Sequence, residues 1–122
     1  MKIETPYNKE STIKFKRAGD LVAYISFRRV GKVKHALYEV TRIEVKEEIM
    51  RDGIATKLFN DMLNMIKFRK LFVTTHASNT KARRFYEKMG MDFEARLPNH
   101  YYKGEDEIIY SRLSYNSYTT KG

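Results

Sequence analysis

Hydrophobic and polar residues alternate along the first third of the chain with the period of two that a half-buried β-strand shows. Ile13–Lys16 alternates in this way, and Leu21–Val30 is rich in β-forming residues. Ala18-Gly19-Asp20 predicts a turn between them, and Gly31-Lys32 predicts a second turn before a third strand over Ala36–Val45. The first 45 residues are therefore predicted to form an antiparallel meander.

The hydrophobic spacing changes to three and four residues after the third strand, which indicates an amphipathic helix over about residues 53–68. Its apolar stripe consists of Ala55, Leu58, Phe59, Met62 and Ile66. Leu71–Thr75 follows as a short strand of the buried kind. Ser78 or Asn79 then caps a second helix, which ends at Gly90.

Two further strands are predicted near residues 91–96 and 107–114, so that the order of elements is β-β-β-α-β-α-β-β. This order predicts an α+β fold with a mixed, mainly antiparallel sheet and a β-α-β-α unit at its centre. No repeat or linker interrupts the 122 residues, and domains of about 100–150 residues are the commonest size. We therefore predict a single domain over residues 1–122, with its core at about residues 12–114.

The composition excludes several classes of protein. Without cysteine, the chain has no disulfide, thiolate metal site or cysteine nucleophile, and His35, His76 and His100 stand at no spacing typical of a metal site. The polar start lacks the apolar core of a signal peptide, and no apolar run approaches the roughly 20 residues that span a bilayer. The sequence predicts a cytoplasmic protein without a metal.

The net charge of +9, from 24 basic and 15 acidic residues, is spread along the chain. Such a field favours anionic ligands, among them a nucleotide cofactor, nucleic acid or an acidic protein surface. A merely basic, solvated surface fits as well. A nucleic-acid-binding module is therefore an alternative function, although no helix-turn-helix, aromatic RNA-binding strand or zinc pattern accompanies the charge.

The turn before the first helix reads Met50-Arg51-Asp52-Gly53-Ile54-Ala55. Gly53 and Ala55 leave the backbone uncovered where the helix begins, and the free N–H groups of a first helical turn bind phosphate oxygens with help from the helix dipole. Arg51 and Lys57 add positive charge. The turn predicts a phosphate site, but short turns of this kind also serve only to pack a helix on a strand.

The second helix lies within the segment Asn79–Met91, which reads N-T-K-A-R-R-F-Y-E-K-M-G-M. One interpretation is a capped amphipathic helix in which Tyr86 is a core residue. The other is a phenol at the end of a cleft. Because a tyrosine titrates at about 10, it is neutral at pH 7 and can donate a proton to a departing thiolate.

These two motifs, in this order, resemble the GNAT family of N-acetyltransferases. Val45–Ala55 is similar to the family's strand-ending valine, short acidic turn and Q/R-x-x-G-x-G/A. Tyr101–Asp106 is similar to the last hairpin of protein N-terminal and lysine acetyltransferases, and the resemblance covers about residues 12–114. The family's second pattern, N-x-x-A-x-x-x-Y-E-K-x-G, is matched by Asn79, Ala82, Tyr86, Glu87, Lys88 and Gly90.

The resemblance implies an enzyme that moves an acetyl group from acetyl-CoA to a primary amine by direct attack on the thioester, without a metal. It implies that acetyl-CoA lies between the strand ending at Val45 and the strand Leu71–Thr75. Pantetheine would pair with the backbone near Ile43 and Val45, and Asn79 would contact the cofactor. The pyrophosphate would lie on the amides of Arg51, Asp52, Gly53, Ile54, Ala55 and Thr56.

Two features depart from the family's pattern. Met50 stands where Gln or Arg is usual, although Arg51 is next to it. The family places one or two helices between its first two strands, whereas only about a dozen residues precede Ile13. These N-terminal helices are therefore predicted to be reduced or missing. A CoA-binding protein that has kept the fold and lost turnover is a second alternative function.

The acceptor must be a neutral amine, and a lysine, with a pKa of about 10.4, needs a base more than a terminal amine with a pKa of about 8 does. Glu39 is the predicted base, since the base glutamate of histone-type lysine acetyltransferases occupies a similar place. By period-two alternation it shares a face with Leu37, Thr41, Ile43 and Val45. Apolar neighbours would raise the pKa of its carboxyl group. Glu44 and a water chain are the second and third choices, and an ordinary ion-paired strand glutamate is the other interpretation.

Tyr86 is the predicted general acid. His100, Tyr101 and Tyr102 are predicted to line the acceptor groove, because aromatic residues of the last hairpin hold the substrate backbone in peptide-acetylating relatives. A strand with surface tyrosines is the other interpretation. The predicted acceptor is a protein or peptide amine, either a lysine or an N-terminus, with a small amine as the alternative. A monomer and a homodimer both fit.

Overall fold

The computed structural model describes residues 9–50 and 52–114 of the chain. Arg51, a predicted phosphate contact, lies outside the described residues. Residues 1–8 also lie outside the described residues. The prediction that N-terminal helices are reduced or missing concerns mainly this segment. Within the described ranges, no helix is long and apolar enough to cross a membrane.

The chain divides into two compact units, Met1–Phe68 and Arg69–Gly122. The first unit contains β1 (Glu10–Arg17), β2 (Asp20–Val30), β3 (Leu37–Val45) and α1 (Ile54–Met65). The second unit contains β4 (Lys70–His76), α2 (Thr80–Lys88), β5 (Asp92–Tyr102) and β6 (Glu105–Leu113). The α+β class and the predicted order of elements are confirmed, while the single domain over residues 1–122 stays a prediction.

The three strands of the first unit form the predicted antiparallel meander, with β2 between β1 and β3. Ala18 and Gly19 have φ angles of 52° and 85°, as expected for a tight two-residue hairpin turn. After the predicted turn at Gly31-Lys32, a 3-10 turn at Val33–His35 completes the connection, and β3 begins at Leu37, one residue later than predicted.

Helix α1 contacts all three strands of the meander. Leu58, Phe59 and Met62, which belong to the predicted apolar stripe, are fully buried. Each such side chain contributes about 1.5–3 kcal/mol relative to exposure in water. The helix ends at Met65, because the backbone of Ile66 is already extended. The buried apolar residues of the first unit are Ala23, Ile25, Phe27, Val40, Ile49, Ile54, Leu58, Phe59, Met62 and Ile66.

Strand β3 contains a β-bulge at Thr41. Phe27 of β2 pairs with Val40, whereas the preceding Ser26 pairs with Arg42, so that Thr41 has no partner on β2. One extra residue in a strand shifts the alternation of its side chains between the two faces. The parts of β3 before and after the bulge therefore do not follow a single period of two.

Strand β6 is the central strand of the second unit and pairs antiparallel with β4 and with β5. Strand β5 runs to Tyr102, well beyond its predicted end near residue 96, but its pairing with β6 is irregular between Leu97 and Tyr102. Pro98 has no N–H to donate and Asn99 has a φ of 48°, so this stretch leaves the regular ladder. The buried apolar residues of this unit are Leu71, Val73, Tyr86, Met91, Ile108 and Tyr110.

Candidate active site

The N-terminus of α1 has no side-chain cap and no acidic residue in its first turn. Gly53 occupies the N-cap with a φ of 75°, a left-handed conformation that favours glycine. The first helical hydrogen bond runs from the Lys57 N–H to the Gly53 carbonyl oxygen, 3.0 Å. The N–H groups of Ile54, Ala55 and Thr56 therefore have no acceptor within the helix. Together with the positive end of the helix dipole, they suit an anion.

Two ion pairs of the first unit lie around this turn. Arg17 donates to Asp52 over 3.2 Å, and Lys57 pairs with Asp61 over 2.8 Å. Both pairs are well exposed, and such pairs contribute about 0–1 kcal/mol each. The N–H of Asp52 donates to the Ile49 carbonyl oxygen, so it is not one of the open groups. Anion binding at this turn would depend mainly on the backbone of the first helical turn.

Ile43 and Val45, the predicted pantetheine contacts, lie opposite Ile25 and Ala23 of β2. A cavity of about 260 Å³ opens where β2 begins and β3 ends. Val45 lines this cavity, together with Tyr24 and Lys46 among others, whereas Ile43 does not. Of the two predicted contacts, Val45 therefore borders this cavity.

Glu39 does not share a face of β3 with Ile43, so this part of the prediction is wrong. The bulge at Thr41 shifts the alternation between them, and Val40 takes the face of Ile43 instead. The Glu39 carboxylate pairs across the strands with Arg28, with Nε and Nη2 at 3.0 and 2.9 Å from Oε1. The contacts are those of an ordinary cross-strand ion pair, and the role of Glu39 as a base stays a prediction.

Glu44, the second choice for the base, also has an arginine partner. Arg42 of the same strand lies 3.5 Å from its carboxylate, and both side chains are mostly exposed. Each of the two predicted carboxylates therefore has an arginine partner in the first unit. The identity of the base is left open by the first unit.

Tyr86 is the buried residue of α2, with 5% of its surface exposed. Its ring packs between Phe85, at 5.5 Å between centroids, and Tyr110 of β6, at 6.4 Å. Burial raises the pKa of Tyr86 to about 12, because the phenolate would lose its hydration. The phenol is therefore neutral at pH 7, the state in which it can donate a proton.

A hydrogen-bond network fixes α2 on β6 beside Tyr86. The hydroxyl of Tyr110 donates to Glu87 over 2.9 Å and accepts from Arg83 over 3.1 Å. Arg83 also donates to the carbonyl oxygen of Ala77, at the end of β4. Tyr110 is fully buried, and a buried polar group that lost its partners would cost about 1–3 kcal/mol. The network holds the helix that carries Tyr86 in one position.

Asn79 is the N-cap of α2, as one of the two sequence alternatives predicted. Its Oδ1 accepts a hydrogen bond from the Ala82 N–H, 3.0 Å. The side-chain amide nitrogen is not used by this cap, and it is the group that could contact a cofactor. Ser78 is instead held by the carboxylate of Glu105.

The hairpin between β5 and β6 carries the three aromatic residues predicted to line the acceptor groove. Tyr101 and Tyr102 are 65% and 62% exposed, and His100 is also exposed. The rings of His100 and Tyr101 meet edge to face, with centroids 4.6 Å apart. These residues are thus available to a ligand, as they would also be in a strand with surface tyrosines.

Hydrogen bonds order this hairpin from within. The Asn99 side chain accepts from the Gly104 N–H, 2.6 Å, and the Asp106 carboxylate accepts from the Asn99 N–H, 2.9 Å, and from Arg96, 2.6 Å. The Asn99 N–H and the Arg96 guanidinium lower the pKa of Asp106. The exposed tyrosines therefore belong to a hairpin that internal hydrogen bonds stabilise.

Sequence reasoning missed a histidine–glutamate pair at the end of β4. His76 and Glu107 are opposite each other in the β4–β6 register, and His76 Nδ1 forms a hydrogen bond with Glu107 Oε2. The side chain of Glu107 is 3% exposed and that of His76 is 45% exposed. The ring of Tyr102 meets the imidazole edge-on at 5.8 Å between centroids. Only the strand register brings these residues together, because the predicted strand stopped at Thr75.

The described residues contain no group of three or more potential metal ligands placed to hold a metal ion. The features present are an open helix N-terminus in the first unit, and in the second a neutral buried phenol with an exposed aromatic hairpin. These features are among those that the resemblance to the GNAT family led us to expect. A model of the acetyltransferase (GNAT) family matches residues 3–91, more than half of the chain. The chain belongs to the GNAT family, which confirms the resemblance.

Individual relatives agree with this membership. An uncharacterised N-acetyltransferase of Methanocaldococcus jannaschii is 32% identical over 95 residues, which make up 75% of this chain and 58% of that protein. The match thus spans little more than half the length of that relative.

Solved structures share the fold. A protein of Desulfovibrio desulfuricans assigned to the GNAT family has a TM-score of 0.79 at 24% identity, over 85% of this chain and 69% of that one. A GNAT acetyltransferase of Elizabethkingia anophelis with acetyl-CoA bound has a TM-score of 0.73 at 18% identity, over 86% of this chain and 76% of that one.

Proposed function

We propose that this chain transfers an acetyl group from acetyl-CoA to a primary amine of a protein or peptide, either a lysine or an N-terminus. The observation that carries the proposal is the open N-terminus of α1 in a chain of the GNAT family. The structure of the Elizabethkingia anophelis relative holds acetyl-CoA, and the phosphate-binding chemistry of the α1 turn suits the same molecule.

The cofactor-binding role divides between backbone and side chains. The N–H groups of Gly53 and of Ile54, Ala55 and Thr56 bind the pyrophosphate, since they are the groups without an acceptor inside the helix. Arg51 and Asp52 belong to the same proposed site by sequence. The backbone at Ile43 and Val45 binds pantetheine, and the free amide nitrogen of Asn79 contacts the cofactor arm.

Tyr86 is the proposed general acid. When bound, acetyl-CoA supplies a thioester whose carbonyl carbon the amine attacks and whose sulfur leaves. Because burial raises the pKa of Tyr86 to about 12, the hydroxyl is protonated whenever the sulfur departs. The Tyr110 network keeps its helix fixed. On the opposite side of the reaction, Glu39, Glu44 and a water chain stay as the sequence-based proposals for the base.

The exposed hairpin supports a peptide acceptor. His100, Tyr101 and Tyr102 present aromatic edges and hydroxyl groups on a braced turn, and such groups can bind a peptide backbone by hydrogen bonds and stacking. A small amine is the alternative acceptor. The cytoplasmic location and the monomeric or homodimeric state stay predictions.

Isothermal titration with acetyl-CoA tests the cofactor site. We expect wild type to bind in the micromolar range and Gly53→Glu not to bind, because a carboxylate would occupy the place of the pyrophosphate. Gly53→Ala is the matched control. It carries the same left-handed strain, roughly 1–2 kcal/mol, without the charge and bulk. Equal binding by all three proteins would contradict the proposed pyrophosphate site.

The same titration separates the alternative functions. Binding of acetyl-CoA without transfer to any amine would favour a CoA-binding protein that has lost turnover. No binding of acetyl-CoA, together with nucleic-acid affinity that falls steeply with salt, would favour the nucleic-acid-binding module suggested by the charge of +9.

A further inference from the structure

Glu107 is a nearly fully buried carboxylate whose side chain pairs with His76. Burying an ionised carboxylate is costly unless a partner compensates for its lost hydration. An apolar side chain at this position of β6 would be buried without that cost, as that of the next residue, Ile108, is. Packing alone therefore does not account for a histidine–glutamate pair at this position.

The pair fixes the orientation of the imidazole. With Glu107 ionised, its carboxylate only accepts hydrogen bonds, so that Nδ1 of His76 then carries the hydrogen and Nε2 presents a lone pair in the neutral ring. Across the part of the chain that the structure describes, no hydrogen bond engages Nε2, and the side chain is 45% exposed. The edge of the Tyr102 ring limits rotation of the imidazole. His76 is thus an accessible proton acceptor held in one orientation by a carboxylate.

The charged groups around His76 favour an amine. Glu107 and Glu105 face it from β6, and hydrogen bonds from Ser78 lower the pKa of Glu105, which keeps that carboxylate ionised. Tyr102 faces it from β5. From α2, Arg83 donates to the carbonyl oxygen of Ala77, the residue after His76. Locally the surroundings are rich in carboxylates although the chain has a net charge of +9, and carboxylates attract a cationic or amine ligand.

We propose that His76, oriented by Glu107, is the general base that takes the proton of the acceptor amine. The nitrogen bonds to the thioester carbonyl carbon and the C–S bond breaks. His76 Nε2 takes a proton from the nitrogen, and the Tyr86 hydroxyl gives one to the sulfur. The products are the acetylated amine and the free thiol, and the proton on His76 returns to Tyr86 through solvent. The inference depends on the proposed function.

Two features connect the dyad with the acceptor. Tyr102, a proposed acceptor contact, touches the His76 ring, so a peptide bound on the hairpin would lie beside the imidazole. The carboxylates proposed from sequence, Glu39 and Glu44, each have an arginine partner. His76 instead has a carboxylate behind it, which stabilises the imidazolium formed when the ring takes a proton.

The first test reads the imidazole nitrogens by ¹⁵N NMR and needs no turnover. In wild type we expect neutral His76 to carry its hydrogen on Nδ1. In Glu107→Gln we expect that preference to weaken, with His35 unchanged as the internal control. A hydrogen on Nε2 of wild-type His76 would overturn the proposal, because the ring could not then accept a proton on its exposed side.

The second test measures acetyl transfer to two probes, a short peptide amide with a free N-terminus and Nα-acetyl-lysine amide. We expect His76→Gln to lower kcat by about 10²- to 10⁴-fold and to remove the acid limb of the kcat/KM profile against pH. Glu107→Gln should lower kcat by roughly tenfold or more, and His35→Gln should match wild type. Added imidazole should restore part of the activity of His76→Ala, which a purely structural role would not allow.

The outcomes separate this inference from the proposed function. If His76→Gln keeps its kcat within about threefold and its pH profile while Glu39→Gln loses both, the dyad is not the base and the acetyltransferase proposal stands. If wild type does not bind acetyl-CoA in the titration, the proposed function fails. The NMR measurement still decides whether the dyad has the required tautomer.

Discussion

The first unit exposes backbone N–H groups at the start of α1, whereas the second unit buries polar side chains in pairs on β6. Around Gly53, two exposed ion pairs lie beside main-chain N–H groups that have no acceptor within the helix. Around Tyr110 and Glu107 the polar groups are buried and each has a side-chain partner. Under the proposed function, recognition of a phosphate and transfer of a proton would therefore have different structural bases in this chain.

The contrast has an energetic reason. In the proposed site, a phosphate bound by main-chain N–H groups would tolerate many side chains nearby, among them Met50 where Gln or Arg is usual in the family. Proton transfer depends on the chemistry of one side chain, and buried polar networks lose much of their value when one member changes. Conservative substitutions of single side chains should therefore lower activity strongly in the second unit and only weakly in the first.

Among the substitutions that test this difference between the units, we expect Tyr86→Phe to have the largest effect, and we expect it on kcat. Removing the hydroxyl takes away the proposed proton donor and leaves the buried ring in place, so kcat should fall by about 10²- to 10⁴-fold. The affinity for acetyl-CoA, measured by titration, should change less than about threefold. Tyr38→Phe, a change in the first unit outside the proposed site, is the control for loss of a phenol.

The opposite result would break the comparison. If Tyr86→Phe lost affinity and kept kcat, Tyr86 would be a binding residue, and proton transfer would not be the property that separates the two units.

A smaller effect should be visible in alkaline unfolding. Tyr86 has a pKa of about 12 in the folded chain, against about 10 for an unfolded tyrosine. The folded state holds the proton more tightly, so the stabilisation is complete below pH 10 and is lost as the pH rises through 12. Two pKa units correspond to about 2–3 kcal/mol.

The measurement is the free energy of urea unfolding from pH 9 to 12. Wild type should lose about 2–3 kcal/mol more over this range than Tyr86→Phe does. Tyr101→Phe, at an exposed position, should follow wild type. Parallel curves for wild type and Tyr86→Phe would show that Tyr86 is not buried as described.

Local sequence patterns were enough for most of the fold. The Ala18-Gly19 turn follows from adjacent residues, and the apolar stripe of α1 follows from apolar residues spaced three or four apart. Both are confirmed. The length of β5 did not follow, because a proline usually ends a strand, whereas Pro98 lies in an irregular stretch within β5. The bulge at Thr41 depends on the register with β2, which no local period reveals.

The same division applies to the site. Gly53 and Asn79 could be placed at helix starts from sequence, because capping and left-handed backbone have local signals. His76 and Glu107 could not be paired, since they are 31 residues apart and meet only through strand register. Features of the first unit that depend on backbone were therefore easier to predict than the side-chain pairs of the second.

The smallest effect concerns Asn79, where a side chain of the second unit serves the backbone of a helix start. Asn79→Ala removes the hydrogen bond to the Ala82 N–H and should cost about 1 kcal/mol of unfolding free energy. Asn79→Ser keeps a cap and should restore most of that stability. Acetyl-CoA titration then separates the two roles. If both variants lose affinity equally, the amide nitrogen contacts the cofactor. If only Asn79→Ala loses affinity, cofactor binding depends on the capped helix start and not on the side-chain amide. The cofactor contact of the second unit would then be made by the main chain, as we propose for the first unit.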